Sequence, residues 1–268
     1  MKGIKVVSID LAKNVFQVCA FNEENKVVFN KKFSRLKLID CIRQFEPTTV
    51  VVEACYTAHP WGREIQALGP SSKADFALPS KAFVVGGKND QNDAVAIAEA
   101  SLRPKASFVA VKTLEQQDLQ SLERIRTLQL KHRTDIANQL RGLLAEYGIV
   151  LPKQLNNLRK QVPQVLEDEQ STLTSTARKF IRFLYQEITQ FDEKIDSIES
   201  ELAALVKHHP DFQRLNTIPG VGPRIATQLI ASVGDAQYFK NGRQMAAWIG
   251  LTPLQHASGE KSYHKGIT

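Results

Sequence analysis

Four acidic residues in the first hundred positions have the types and spacing of a site that cuts phosphodiesters with metal ions. Asp10 interrupts an apolar run, Glu53 ends another, and Asp90 and Asp93 lie three apart where a helical pattern begins. A carboxylate in or beside a buried strand is costly unless it is paired or binds a cation. Carboxylate oxygens suit Mg²⁺ or Mn²⁺, and two such ions can stabilise both the attacking and the leaving oxygen. We therefore predict that these four residues converge as catalytic Mg²⁺ or Mn²⁺ ligands.

The apolar and polar pattern around these acids predicts an α/β domain. In chain order it predicts strands at 4–10, 15–21 and 26–33, a helix after Ser34, a strand at 48–53, a helix at 59–68, a strand at 74–78 and a helix at 93–102. Three strands followed by alternating helices and strands is the element order of the ribonuclease H-like fold, whose first and fourth strands are neighbours. Asp10 and Glu53 are then expected to meet across the sheet, and the last helix brings Asp90 and Asp93.

Two long helical segments are predicted after this domain. Residues 114–147 and 174–206 repeat apolar residues at steps of mostly three or four. A helix of about 33 residues would be near 50 Å long, at roughly 1.5 Å per residue. Pro152 and Pro163 predict a connector between the two helices. We expect a long antiparallel helical hairpin or coiled coil, for which dimerisation, spacing and nucleic-acid binding are all suitable roles.

The last part of the chain is predicted to be small and mainly α-helical. It contains the turn Ile218-Pro219-Gly220-Val221-Gly222-Pro223, followed by a helix to Val233. Such a Gly-x-Gly turn can present backbone N–H groups to a DNA phosphate, or it can be an ordinary tight turn between helices. The predicted domains are thus an α/β domain at 1–107, a helical linker at 108–206 and a C-terminal domain at 207–268.

The chain is basic, with a net charge of +7 over 268 residues. Residues 124–160 contain eight Lys and Arg against two Asp and Glu, whereas residues 167–201 contain four against nine. Two interpretations are open. The two helical segments attract each other through these charges, or the basic segment forms a face for nucleic acid.

The remaining composition excludes several classes of protein. Cys19, Cys41 and Cys55 are odd in number and form no CxxC motif, so we predict reduced core residues rather than disulfides or a zinc site. No apolar run reaches the roughly 18 residues that span a membrane, and the N-terminus has no signal-peptide pattern. We expect a cytoplasmic protein with no membrane partner.

Five stretches in the same order resemble one family, the DEDD-type transposases of bacterial insertion sequences. These are serine-dependent recombinases whose members use a guide (bridge) RNA. The resemblance covers essentially the whole chain. It is carried by Ser8 to Lys13, Val52 to Ala54, Gly87 to Ala94, Ile218 to Pro223, and Gly250 to Pro253 with Ala257 to Gly259.

The resemblance implies a ribonuclease H-like catalytic domain whose acids are Asp10, Glu53, Asp90 and Asp93. It also implies a helical linker that forms a coiled coil with another protomer, giving a dimer or tetramer. Its nucleophile would be Ser258, which attacks a DNA phosphate and holds one strand as a phosphoserine. The partners implied are DNA, at the element ends and the target, and a noncoding guide RNA.

Three points stay open at the level of the sequence. Without the family, Ser258 is read as a turn residue, since serine before glycine in a polar loop is commonly one. The acids alone also fit a structure-specific nuclease resembling a junction resolvase, in which water attacks. Members of the family normally continue beyond the position of Thr268, so we expect an incomplete final domain, and a nucleic-acid-binding remnant without catalysis is a third interpretation.

Overall fold

The computed structural model describes two compact units. The first comprises residues 1–113 and 234–268, and the second comprises residues 114–233. The described residues are all except 47, 70–72, 78–86, 88, 105, 107, 235, 254, 259–260, 265 and 267–268. For residues 73–77, 109, 238, 255–258, 261, 262 and 264 only the backbone is described.

A six-stranded mixed sheet forms the centre of the first unit. Its strands are β1 (Ile4–Leu11), β2 (Val15–Asn22), β3 (Val27–Ser34), β4 (Thr49–Glu53), β5 (Lys73–Ala77) and β6 (Phe108–Val109). Their order across the sheet is β3-β2-β1-β4-β5-β6. The antiparallel meander β1–β2–β3 leaves β1 free on its other side, where β4 pairs with it in parallel. The predicted meeting of the first and fourth strands is therefore confirmed.

Helices cover both faces of this sheet, as expected for a central strand that is apolar throughout. On one face, Val7 and Ile9 of β1 lie in a core with Leu38 of α1 (Leu38–Ile42) and Ile65 of α2 (Ala58–Gln66). On the other face, Val6 packs with residues of α3 (Asp90–Ser101). Successive side chains of a strand point to opposite faces, so even-numbered residues of β1 face α3. The predicted α/β character of the N-terminal part is confirmed.

Two long antiparallel helices form the frame of the second unit. They are α4 (Leu114–Glu146) and α6 (Ser175–Val206), joined through α5 (Leu155–Glu167). Arg126 pairs with Glu199, and Arg133, one heptad later, pairs with Asp192, one heptad earlier. A step of seven forward on one helix and seven back on the other means that the helices run in opposite directions. The buried seam of α6 follows the same spacing, with Ile181, Ile188, Ile195 and Leu202.

The charged pairs lie inside the apolar seam rather than beside it. Arg126 and Arg133 occupy the heptad positions between Leu119 and Leu140, and Arg126 is only 5% exposed. The Arg126 Nε donates to Glu199 at 2.7 Å, and Arg133 Nη1 donates to Asp192 at 2.6 Å. A shift by one heptad in either direction would leave one of the two guanidiniums in the seam without a facing carboxylate, at a large cost in free energy. These pairs therefore specify the register of the two helices.

The expected connector between the two long helices is present, but Pro163 does not bound it, because α5 continues through Pro163. Proline lacks the N–H that would bond to the carbonyl four residues before it, here that of Arg159. The hydroxyl of Tyr185 donates to this carbonyl at 3.2 Å and replaces the missing bond. Burial of Leu158 and Val162 against the long helices then keeps the segment helical.

Two shorter helices complete the second unit. They are α7 (Pro210–Asn216) and α8 (Pro223–Val233), and the predicted Gly-x-Gly turn joins them. Ile230 and Ala231 of α8 pack with Leu119 and Leu202, and Gln120 Nε2 donates to the carbonyl of Ala231 at 2.9 Å. The compact units thus divide after 113 and 233. The division into functional domains after 107 and 206 stays a prediction.

The C-terminal residues of the first unit contain one helix and a small sheet. The helix is α9 (Gly242–Trp248), and the strands β7 (Gln255–Ser258) and β8 (Lys261–His264) pair antiparallel. The expected mainly α-helical C-terminal part therefore also contains a β-hairpin. Of the helices in the described ranges, none has the length and apolarity needed to cross a membrane.

Asp192→Ala is expected to lower the free energy of unfolding by about 2 kcal/mol, because it removes the acceptor of two partly buried arginines. Asp192 accepts from Arg159 Nη2 at 2.7 Å as well as from Arg133. Urea unfolding followed by circular dichroism measures the change. The control is Asp196→Ala, an exposed position of the same helix, expected to stay within about 0.5 kcal/mol. Equal effects of the two variants would contradict a structural role for the Asp192 pairs.

Candidate active site

Asp10 and Glu53 lie side by side at the carboxyl ends of the two central parallel strands. The register aligns Ser8 with Val51 and Ile9 with Val52, so Asp10 and Glu53 are the next pair. Val51 packs with the residues of α3, and Glu53 lies two positions further along the same strand. Both carboxylates therefore point to the α3 face, on strands about 4.8 Å apart. Each is partly buried.

The first turn of α3 brings Asp90 and Asp93 to the same end of the sheet. Asn89 caps the helix, since its side chain accepts from the Asn92 backbone N–H at 2.8 Å. Acids in the first turn are further stabilised by the helix dipole.

Two hydrogen bonds hold this turn on the sheet. The Ser8 hydroxyl donates to the Ala94 carbonyl at 2.6 Å, and Asn30 Nδ2 donates to the Gln91 carbonyl at 3.3 Å. Ser8 is buried two residues before Asp10 on the same face of β1, so its bond ties the position of α3 directly to the strand that carries Asp10.

The four acids lie close enough together for their charges to act on Asp10. The pKa of Asp10 is raised to about 6, first by burial and then by the negative charges of Asp93, Asp90 and Glu53. Each of these causes disfavours the ionised carboxylate, which is the situation that a bound cation would reverse. The structure thus brings together the four residues that the sequence singled out. Their catalytic role stays a prediction.

The sequence reasoning missed two polar residues beside this cluster. Lys32 Nζ lies 2.8 Å from Asp90 Oδ2. Gln17 is 1% exposed, its Nε2 donates to Asn30, and its Oε1 has no hydrogen-bond partner. Gln17 aligns with Asp10 on one side and with Lys32 on the other. A glutamine inside the apolar run of β2 is the same kind of signal that identified Asp10.

The donor chemistry of this cluster fits a divalent cation. Four carboxylates supply hard oxygen ligands, and the pKa of Asp10 is raised first by burial and then by the neighbouring acids. In the arrangement described, no group of three or more His, Cys, Asp or Glu side chains among the unmasked positions is set to hold a metal ion. Asp90 is engaged by Lys32 in that arrangement.

Ser258 is the last residue of β7 and aligns with Lys261 of β8, in a sheet separate from the one that carries the acids. Its side chain lies outside the described part of the chain, so its predicted role as nucleophile stays a prediction. In the Gly-x-Gly turn, Gly220 has a φ of +86°, which favours glycine. Phosphate binding by this turn also stays a prediction.

The three cysteines take no part in this site. All are free, and Cys19 and Cys41 are buried. Burial raises the pKa of the Cys19 thiol to about 12 and that of Cys41 to about 11. Both are therefore neutral and unreactive near pH 7.

Comparison with protein families gives two matches that together span most of the chain. Residues 7–149 match a family described as transposase, of the DEDD IS110 group. Residues 212–268 match the transposase IS116/IS110/IS902 family. The first match contains the four acids, and the second contains Ser258.

Several curated proteins resemble the chain over nearly its full length. The transposase for insertion sequence element IS1111A of Coxiella burnetii is 40% identical over 268 residues, covering 100% of this chain and 74% of the relative. A probable family 20 transposase of Pseudomonas aeruginosa is 37% identical, over 94% of this chain and 75% of the relative. The transposase for insertion sequence element IS1328 of Yersinia enterocolitica is 32% identical, over 100% of this chain and 79% of the relative.

Asp10→Asn is expected to remove a pH dependence of stability. The folded pKa of Asp10, about 6, lies above its ordinary value of 3.8, so the folded chain holds this proton more tightly. Asp10 therefore contributes stability that is full below about pH 4 and is lost as the pH rises through about 6. Near pH 7 in EDTA the Asn variant should be more stable than the wild type by about 1 kcal/mol, a value discounted for partial exposure.

Urea unfolding between pH 4 and 8 measures this difference. Asp40→Asn serves as the control, because it removes an exposed carboxylate of the same unit. A difference between Asp10→Asn and wild type that stays constant from pH 4 to 8 would contradict the shared field of the four acids.

Proposed function

The chain belongs to the IS110/IS116/IS902 family of insertion-sequence transposases, and from that premise we propose that it cleaves and rejoins DNA in a divalent-metal-dependent reaction with Ser258 as the nucleophile. The observation that carries the proposal is the placement of Asp10 and Glu53 at the ends of paired parallel strands, with Asp90 and Asp93 in the first turn of α3 on the same face. A cluster of like charges at the ends of buried strands costs stability. It therefore indicates a site selected for binding a cation.

We further assign the first unit to the ribonuclease H-like fold. The support is the strand order β3-β2-β1-β4-β5, with β2 antiparallel to its neighbours and β4 and β5 parallel to β1. The acids at the ends of β1 and β4 and in the first turn of α3 add to that support. Such an arrangement presents carboxylates from β1, β4 and α3 at the carboxyl ends of the central strands.

In this proposal the four carboxylates would hold Mg²⁺ or Mn²⁺, which as Lewis acids would stabilise charge on the phosphate oxygens. The Ser258 hydroxyl gives its proton to a water molecule, and its oxygen bonds to phosphorus. The ester bond from phosphorus to one deoxyribose oxygen breaks, and that oxygen takes a proton from water and leaves as a hydroxyl. One phosphodiester replaces another, so the step needs no energy source. Attack by a strand hydroxyl on the phosphoserine reverses it and joins the DNA to a new partner.

The basic stretch at residues 124–160 supports a polyanionic partner. Arg126 and Arg133 of α4 and Arg159 of α5 pair with acids of α6. The basic and the acidic helical segments therefore do attract each other. Four other basic residues of the same stretch remain exposed: Arg124, Lys131, Lys153 and Lys160. We propose that they contact the phosphates of DNA or of a noncoding guide RNA. A genomic DNA substrate also requires the chain to act in the cytoplasm.

We propose that the chain works as a dimer or tetramer assembled through α4 and α6. Large apolar side chains on both helices remain about half exposed, among them Ile125, Leu128 and Phe183. Exposed apolar residues along a helical hairpin can form a coiled coil with a second copy. Assembly would allow Ser258 of one copy to act with the acids of another. Light scattering across a concentration series tests this assembly.

Ser258→Ala is expected to abolish a covalent protein–DNA adduct that the wild type forms with Mg²⁺ and an oligonucleotide carrying an element end. The adduct is detected by denaturing gel electrophoresis with labelled DNA. Glu53→Gln should reduce adduct formation by about 100-fold or more while DNA binding persists, because the carboxylates act on the chemical step. The matched control is Ser262→Ala in the neighbouring strand of the same hairpin.

The outcomes separate the alternatives. Cleavage that survives Ser258→Ala and still requires Glu53 would identify a nuclease in which water attacks. DNA binding with neither cleavage nor adduct in the wild type would contradict the proposed activity and favour a binding remnant.

A noncoding RNA encoded beside the gene is expected to co-purify with the chain when both are expressed from their natural flank. Sequencing of the bound RNA checks this, with RNA from the input lysate as the reference. Combined substitution of Arg124 and Lys131 by alanine should release the RNA at lower salt, because each phosphate contact adds to the salt dependence of binding. Recovery of bulk cellular RNA alone would contradict the guide.

A further inference from the structure

We propose that Lys32 is a built-in counter-ion that pairs with Asp90 in the metal-free chain and releases this carboxylate when a divalent cation binds. The inference rests on the proposed function, since it presumes that the four acids bind a cation. It makes Lys32 a positioning residue that sets the affinity and occupancy of the site.

The contact itself has the properties of a reversible switch. Lys32 Nζ lies 2.8 Å from Asp90 Oδ2, and the two side chains are exposed to 58% and 54%. Ion pairs this exposed are weak, because water screens the attraction and the long lysine loses rotamer freedom. A divalent cation with several carboxylate ligands can therefore displace the ammonium group.

The sheet places Lys32 in the same cross-strand row as the acids. Asp10 aligns with Gln17, and Gln17 aligns with Lys32, so Lys32 lies two strands from Asp10, about 10 Å between backbones. Asn30, two residues before Lys32 on the same face, bonds to the first turn of α3. The lysine therefore faces the acid cluster by register and reaches Asp90 with its long side chain.

The arrangement of the acids agrees with a displaced ligand. In the parts of the chain with described side chains, no three acids are set to hold an ion together, and Asp90 is the acid that bonds to a side chain on the outer strand β3. Gln17, which aligns with Asp10 on one side and with Lys32 on the other, is buried, and its Oε1 has no hydrogen-bond partner. Lys32 thus neutralises part of the cluster while it holds Asp90 toward β3.

Lys31 provides a matched control because strand alternation turns it to the opposite face. Its Nζ lies 5.6 Å from the ring centroid of Phe29, which packs on the core under α1 and α2. Lys31→Met and Lys32→Met therefore make the same charge change at adjacent positions of one strand. Only the second change removes a group that contacts the acids.

The test measures Mn²⁺ binding to the metal-free chain, without DNA, by electron paramagnetic resonance of the free ion. Lys32→Met is expected to tighten Mn²⁺ binding about 3- to 5-fold, because the ammonium group no longer competes with the ion for Asp90. Lys31→Met should change it less than about 2-fold. In an Asp90→Asn background Lys32→Met should also have less than about 2-fold effect, since the competing pair no longer exists.

The outcomes distinguish this inference from the proposed function. Equal effects of the two lysine variants, or weaker binding in Lys32→Met, would overturn the counter-ion role. Binding that depends on Asp10 but ignores Lys32 would overturn this inference alone and leave the metal centre standing. If neither the wild type nor Lys32→Met binds Mn²⁺, both the inference and the proposed metal centre are wrong.

Discussion

The parallel pairing of β1 with β4 is the constraint on which the rest of the first unit depends. It places Asp10 beside Glu53 at the ends of two strands whose central residues are buried under helices on both faces. The bond from Ser8 to the Ala94 carbonyl then holds α3 so that its first turn adds two further acids. The strands bury apolar surface along their length, and this burial offsets the cost of the negative charge gathered at their ends.

The two units differ in whether their partly buried charges face partners of opposite sign. In the helical hairpin, Arg126 and Arg133 lie in an otherwise apolar seam, and each has an acid on the facing helix. Charge there is neutralised, and the benefit is a unique register. At the end of the sheet, burial and then the like charges of Asp93, Asp90 and Glu53 raise the pKa of Asp10, and these acids are gathered without a matching set of buried cations among the described residues. Neutralisation is used where charge is structural, and an excess is kept where a ligand can supply the missing positive charge.

Family membership connects the acid cluster to a second, distant sequence element. The match over residues 7–149 contains the acids, and the match over residues 212–268 contains Ser258. Ser258 ends a strand of its own two-stranded sheet, whereas Asp10 and Glu53 lie on the six-stranded sheet and Asp90 and Asp93 on α3. In the proposed mechanism the nucleophile and the metal centre are therefore carried by different elements, which suits a reaction that assembles around DNA before it starts.

The sequence by itself determined the longer secondary-structure elements and the acidic residues of the candidate site, because both follow from local patterns. Apolar and alternating runs predicted the first five strands, and three- and four-residue steps predicted α4 and α6. Carboxylates in apolar runs identified Asp10 and Glu53, and an acidic pair three apart at a helix start identified Asp90 and Asp93. Only the tertiary structure decided what depends on partners far along the chain. Lys32 reaches Asp90 across 58 residues, and the hydroxyl of Tyr185 lets α5 pass through Pro163. The two-residue strand β6 and the β7–β8 hairpin are too short for periodicity to reveal. Register and packing decide such contacts, and a local pattern carries no information about them.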